Sequence, residues 1–171
     1  MSNNEKNQIT ERDILEFSMP LYTEIPDVGL YLKQVVKYIN ETVGEWFDIK
    51  VTETMLTNYV KMHMVPNAIK KQYYRDHIVI MIFIVLAKTV VSLDNIQKLL
   101  QIREQQYEVK EAYELFSGAF MRTLGGFFGK EQGNLVEAEA ADQVQALVKN
   151  IIIAIIQKYH IEKSFRELTG E

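Results

Sequence analysis

Apolar residues recur along this chain at the three-and-four spacing of helices rather than the alternation of strands. The first such face is Leu32, Val35, Val36, Ile39 and Val43, and Gly44 stands where a C-terminal stop is expected. Thr52 suits the N-cap of a second helix, with Met55, Leu56, Tyr59 and Val60 as its apolar face and Pro66 as its end. Asp76 could cap a third helix reaching about Val90, apolar nearly all round and so expected at the centre of the core. Ser92 is suited to cap a fourth, with Leu93, Ile96, Leu99 and Leu100 facing inward.

The C-terminal third continues the pattern. Val109, Ala112, Tyr113, Phe116, Ala119 and Phe120 define a fifth helix, which Gly125, Gly126 and Gly129 would break. Ala140, Val144, Leu147, Ile151 and Ala154 define a sixth with heptad-like spacing. The run Ile151, Ile152, Ile153, Ile155 and Ile156 cannot point to one side. It is either central to its own bundle or buries a second face against another subunit. Near the N-terminus, residues 1–10 are polar, Glu11–Phe17 could form a short helix, and Pro20 and Pro26 hold the chain extended or turning. No run of strands or internal repeat is evident, although the strip after Pro66 could form a small hairpin.

Composition removes several classes of chemistry. The 171 residues, 47% hydrophobic and 25% charged, permit one large domain or two small ones with a real core. The absence of cysteine excludes disulfides, thiolate metal sites and cysteine nucleophiles. The start, MSNNEKNQITERD, lacks signal-peptide architecture, and the longest apolar run, Ile78–Ala87, is ten residues, too short to span a bilayer. A cytoplasmic protein is expected. His63, His77 and His160 are far apart and match no paired metal spacing. Gly125-Gly126-Phe127-Phe128-Gly129-Lys130 lacks the spacer and the Ser/Thr of a phosphate loop, and Glu108, Glu111 and Glu114 read as a solvated helix face. No catalytic residue, metal ligand or cofactor is assigned, and the chain is read as no enzyme.

Charge changes the picture at one place. The chain has a formal net charge of -4, yet between Thr54 and Arg75 lie four cations (Lys61, Lys70, Lys71, Arg75) and no carboxylate. A helix that enters a major groove packs one face on its own domain and offers short polar or cationic side chains on the other. Met55, Leu56, Tyr59 and Val60 fit the first role; Thr54, Thr57, Asn58 and Lys61, following the Thr52 cap, fit the second. Lys70, Lys71 and Arg75, interleaved with Tyr73 and Tyr74, suit phosphate contacts from a loop or wing. The candidate DNA-binding set is therefore Thr52, Thr54, Thr57, Asn58, Lys61, Lys70, Lys71, Tyr73 and Arg75. The blander reading makes the Thr/Asn/Lys face a solvated surface and the tyrosines core. The conjunction of polar face, basic strip and absent acids favours a polyanion.

The order of elements from about Leu32 to Leu100 resembles the MerR-type winged helix-turn-helix. Thr57-Asn58-Tyr59-Val60-Lys61-Met62-His63-Met64-Val65-Pro66 is similar to the end of that family's recognition helix and the turn to proline. Lys71-Gln72-Tyr73-Tyr74 falls where its wing is expected, and Val91-Ser92-Leu93-Asp94-Asn95-Ile96 resembles the opening of its next helix. Thr57 stands in place of the family's phosphate-binding arginine, and His63 in place of its turn glycine. A closer resemblance is to the bacterial domain-of-unknown-function family 1836, regarded as MerR-like. It is carried by Pro20-Leu21-Tyr22 with Pro26, Leu30-Tyr31-Leu32 with Gln34-Val35, Asn58-Tyr59-Val60-Lys61, and Lys88–Leu100.

The expected fold is mainly α: an arm over residues 1–28, a MerR-like winged helix-turn-helix over 29–104, and a C-terminal helical bundle or dimerisation region over 105–171. The expected function is DNA-binding transcriptional regulation, with double-stranded DNA and a second copy, held through the C-terminal helices, as partners and no membrane. Two alternatives stay open. One is a non-catalytic protein-interaction module on the same scaffold. The other is a regulator responding to a small-molecule effector in an apolar pocket lined by Phe116, Phe120, Phe127 and Phe128.

Overall fold

The computed structural model describes residues 14–129 and 141–171. Of the short helix expected at Glu11–Phe17, only the last turn is described, with Phe17 N–H donating to the Ile14 carbonyl at 3.1 Å; Lys130 and Ala140 also lie outside the described residues. Six α-helices follow: α1 Leu32–Ile39, α2 Glu53–Lys61, α3 Arg75–Ala87, α4 Leu93–Gln106, α5 Val109–Phe128 and α6 Gln143–Thr169. The described residues form no strand, only isolated antiparallel bridges pairing Leu30 with Tyr73 and Ile69 with Gln72. The chain is thus mainly helical. Among the described residues no helix is long and apolar enough to cross a membrane.

The central position of α3 follows from its sequence. Ten of its thirteen residues, His77 to Ile82 and Ile84 to Ala87, are buried. Such a helix has no face to give to water, so α1, α4, α5 and α6 all pack around it. Its start differs from expectation. Tyr74, not Asp76, is the N-cap; His77 Nδ1 accepts the Tyr74 N–H at 2.9 Å, while Asp76 in the first turn accepts the Tyr22 hydroxyl at 2.5 Å. The helix stops at Ala87, followed by a turn in which Thr89 Oγ1 donates to the Leu86 carbonyl at 2.7 Å.

Gly44 does not end the first helical path. After α1 the chain passes through one π turn, Asn40–Gly44, and one 3-10 turn, Glu45–Phe47, and stops at Asp48 in the left-handed region (φ 54°). The glycine serves close approach instead: a Cβ there would lie 2.5 Å from the Ile49 carbonyl oxygen. Gly125 and Gly126 do not break α5 either. The helix reaches Phe128, whose ring packs edge-on against Tyr159 at 6.2 Å and His160 at 5.5 Å. Packing of Phe127 and Phe128 outweighs a glycine penalty of about 1 kcal/mol per residue.

Tyr107 at the end of α4 bonds to Asp142 and Gln145 at the start of α6, while Phe128 at the end of α5 meets Tyr159 and His160. Helices α5 and α6 therefore lie side by side in the same direction. Ile151, Ile152, Ile155 and Ile156 are buried within the chain, and Ile153 is half-buried. Leu147, Ile161, Phe165 and Leu168 remain exposed on α6. Phe17, Phe47, Phe120 and Tyr159 form an edge-to-face cluster joining the N-terminal arm, the turn after α1, α5 and α6. Phe116 and Phe120, assigned to an effector pocket in one reading, are core side chains, 4% and 0% exposed.

Candidate nucleic-acid interface

Helix α2 begins as its sequence dictates. Thr52 is extended, and its Oγ1 accepts the Met55 N–H at 3.2 Å. Leu56 and Tyr59 are buried, with Met55 and Val60 half-buried beside them, so the helix is fastened by the expected face. The opposite face carries Thr54, Asn58 and Lys61 exposed and Thr57 half-buried. The Tyr59 hydroxyl is buried with no hydrogen-bond partner among the described residues, and burial pushes it up to about 12. Lys88 Nζ lies 5.9 Å from the Tyr59 ring centroid.

The helix closes at His63, which takes the left-handed conformation (φ 59°) that glycine commonly adopts at a helix end. Met64 N–H then donates back to the Tyr59 carbonyl at 3.0 Å. Met64 and Val65 are buried and turn the chain toward Pro66.

A two-residue hairpin turn follows. Ile69 and Gln72 exchange both backbone hydrogen bonds at 2.9 Å, and between them Lys70 and Lys71 are left-handed, with φ 50° and 65°. Paired left-handed residues are the mark of a type I′ turn, which normally holds Asn-Gly because a Cβ is disfavoured there. Both lysines are exposed at its tip. The hairpin is seated on the N-terminal arm. Tyr73 and Leu30 exchange backbone bonds at 2.8 and 2.9 Å, and a Cβ on Gly29 would lie 2.6 Å from the Gln72 side chain.

Two members of the sequence-derived set face elsewhere. Tyr73 is 8% exposed, with its ring edge-on to His77. Arg75 is turned inward: Nε donates to the Ile25 carbonyl at 2.8 Å, Nη2 to the Thr23 carbonyl at 3.3 Å, and the guanidinium lies 5.2 Å from the Tyr22 ring centroid. Asp27 lies 3.9 Å from it. Burial and then the Asp76 carboxylate push the Tyr22 phenol up to about 12. Arg75 thus fastens the arm to α3. One cation lay outside the sequence window: Lys50 is exposed two residues before the Thr52 cap, and Glu53 had ended the acid-free run. Of the cations from Lys50 to Arg75, the exposed ones are Lys50, Lys61, Lys70 and Lys71.

Histidine chemistry is spent on structure at His77, whose Nδ1 accepts from Tyr74 N–H and whose Nε2 donates to the Asn67 carbonyl at 3.1 Å. Among the described residues no group of three or more His, Cys, Asp or Glu is placed to hold a metal.

No curated protein and no solved structure matches the chain. A family model, Domain of unknown function (DUF1836), matches residues 20–116. The matched span takes in the arm, α1, α2, the hairpin, α3, α4 and the start of α5, and leaves out α6. Since it covers more than half of the chain, this protein belongs to the DUF1836 family.

Proposed function

We propose that this protein is a DNA-binding transcriptional regulator in which α2 enters the major groove and the Lys70–Lys71 hairpin acts as a wing on the phosphate backbone. The observation that carries the reading is the pair of left-handed lysines. A left-handed non-glycine residue costs about 1–2 kcal/mol, so stability alone favours Asn-Gly at this turn. A turn that accepts that cost twice and points both ammonium groups outward is accounted for by a polyanionic partner. Thr54, Asn58 and Lys61 on the free face of α2 supply groups suited to base edges and phosphate, with Thr57 at its margin. In the MerR-like comparison, Thr57 takes the place of the phosphate-gripping arginine, and the hairpin lysines compensate for its charge.

One such unit binds weakly, so two copies on two half-sites are part of the proposal. The exposed Leu147, Ile161, Phe165 and Leu168 on α6 are the apolar side chains left for a second copy.

Fluorescence anisotropy with genomic promoter fragments, beginning with the protein's own promoter, tests the reading across a salt series. With four cations engaged, the log–log slope should be roughly -3 to -4 per subunit. Lys70→Asn with Lys71→Gly should make it shallower by about 2. Asn58→Ala with Lys61→Ala should abolish specific binding, and wild-type affinity in that variant would refute the assignment of α2. A folded wild-type chain with no salt-sensitive binding would return the scaffold to a protein-interaction role.

A further inference from the structure

The helix proposed to read DNA is held at both ends by a side-chain amide from a different neighbour. At its start, Asn40 in the π turn after α1 makes two bonds to one residue: Nδ2 donates to the Val51 carbonyl at 3.0 Å, and Oδ1 accepts the Val51 N–H at 2.8 Å. Val51 is 2% exposed and directly precedes the Thr52 cap. At the other end, Gln97 of α4 donates from Nε2 to the carbonyl of Met62, the C-cap residue, at 2.5 Å. The last carbonyls of a helix have no partner within it, so an outside donor there fixes a group that would otherwise turn to water.

The two bonds have different work. Asn40 satisfies the backbone of a buried residue, and its loss would leave two polar groups unpaired in the core. Gln97 is half-buried and acts on a carbonyl next to the left-handed His63. A nine-residue helix is about 13 Å long, so a tilt of about 10° about its start moves its far end by about 2 Å. Sequence readout tolerates about 0.5 Å. Lys61 is at that far end, and Asn58 lies one turn before it.

We infer that Gln97 is a positioning residue: its bond to the Met62 carbonyl sets the tilt of α2, and through it the discrimination between DNA sequences. Gln97 contacts no DNA in this arrangement. The inference rests on the DNA-binding reading and adds to it the element, α4, that controls specificity.

The test begins with selection of a preferred duplex from a random library by the wild-type full chain. Affinities for that duplex and for a scrambled one are then measured in wild type, Gln97→Met and Gln97→Lys. Methionine keeps the length and removes the donor; lysine restores an N–H. The ratio of specific to scrambled affinity should fall about tenfold in Gln97→Met. The scrambled affinity and the salt slope should hold, since every outward cation is retained. Gln97→Lys should keep the ratio within about threefold of wild type, corrected for its added charge by the scrambled duplex. If Gln97→Met does not fold, Gln97→Glu, a near-isostere with no donor in its ionised form, takes its place against Gln97→Lys. A preferred duplex found by wild type, with an unchanged ratio in the donor-less variant or an equal loss in Gln97→Lys, would overturn the positioning role and leave DNA binding standing. No preferred duplex and no salt-sensitive binding would remove both.

Discussion

The hairpin tip and the C-terminal helix treat lysine in opposite ways. Lys70 and Lys71 are exposed, left-handed, and placed where Asn and Gly would suit the backbone better. Lys163 on α6 is 5% exposed, its Nζ has no hydrogen-bond partner among the described residues, and the Glu167 carboxylate is 3.8 Å away. At the tip the backbone is strained and the charge is free; in α6 the backbone is relaxed and the charge is enclosed. On the proposed reading, the cation kept at a cost to local conformation serves a partner, whereas the one kept at a cost in solvation lies within its own fold. The first kind belongs in a search for function, and net charge alone separates neither.

The largest effect should come from the core that supports both regions. Phe120 is fully buried, with Phe17, Phe47 and Phe116 around it at ring-centroid distances of 6.1, 5.4 and 5.8 Å. Phe120→Ala should lower unfolding free energy by about 3–5 kcal/mol in chemical denaturation. A loss below about 1 kcal/mol would mean that the arm and the C-terminal helices do not share a cooperative core.

Next in size is a gain. Lys70→Asn with Lys71→Gly relieves two disfavoured conformations and adds glycine's freedom to the unfolded chain, for a net stabilisation of about 1–2 kcal/mol. The same variant should bind DNA more weakly, so stability and affinity should move in opposite directions. Unchanged or lower stability would remove the strain on which the contrast depends. A small hairpin in this strip was expected, but its strained Lys-Lys turn was not legible in the sequence. Lys-Lys carries no turn signal, and a reader guided by propensity looks for Asn-Gly. The helices were legible for a local reason: their caps and apolar faces lie within a few residues of each other, as Thr52 and Ser92 show. The bonds of Asn40 to Val51 and Gln97 to Met62, and the inward turn of Arg75 onto residues 50 and 52 positions away, join distant segments. No periodicity encodes them, so the candidate set contained Arg75 and omitted the residues that hold α2.

Replacement of the enclosed lysine should have a smaller effect. Lys163→Met keeps most of the side-chain volume and removes an ammonium from a site that offers it one carboxylate, itself largely exposed. Stability should rise by about 1 kcal/mol or stay level, read from the same denaturation curves. A fall of more than about 1 kcal/mol would show that the charge has a partner worth its desolvation, and the contrast with the hairpin lysines would weaken.

The smallest effect concerns the other end of α6 and appears as a pH dependence. Asp142 is its N-cap. The hydrogen bond from Tyr107 Oη, and then that from the Gln145 N–H at 2.8 Å, hold its carboxyl below the ordinary 3.8. The bond from Tyr107 likewise raises that phenol above its usual 10.0, as expected when a neutral hydroxyl donates to a carboxylate. A carboxyl depressed in the folded chain contributes stability that is present above its unfolded value and lost as pH falls through its folded value. Asp142→Asn retains a capping oxygen but cannot titrate. At neutral pH the variant should be slightly less stable, having lost the favourable charge at a helix N-terminus. As pH falls below about 4, the wild type should lose stability faster, and the two thermal midpoints should converge. A gap that stays constant from neutral pH to about pH 3 would mean that the carboxylate contributes no more than an amide there, and the latch between α4 and α6 would then rest on the Tyr107 hydroxyl alone.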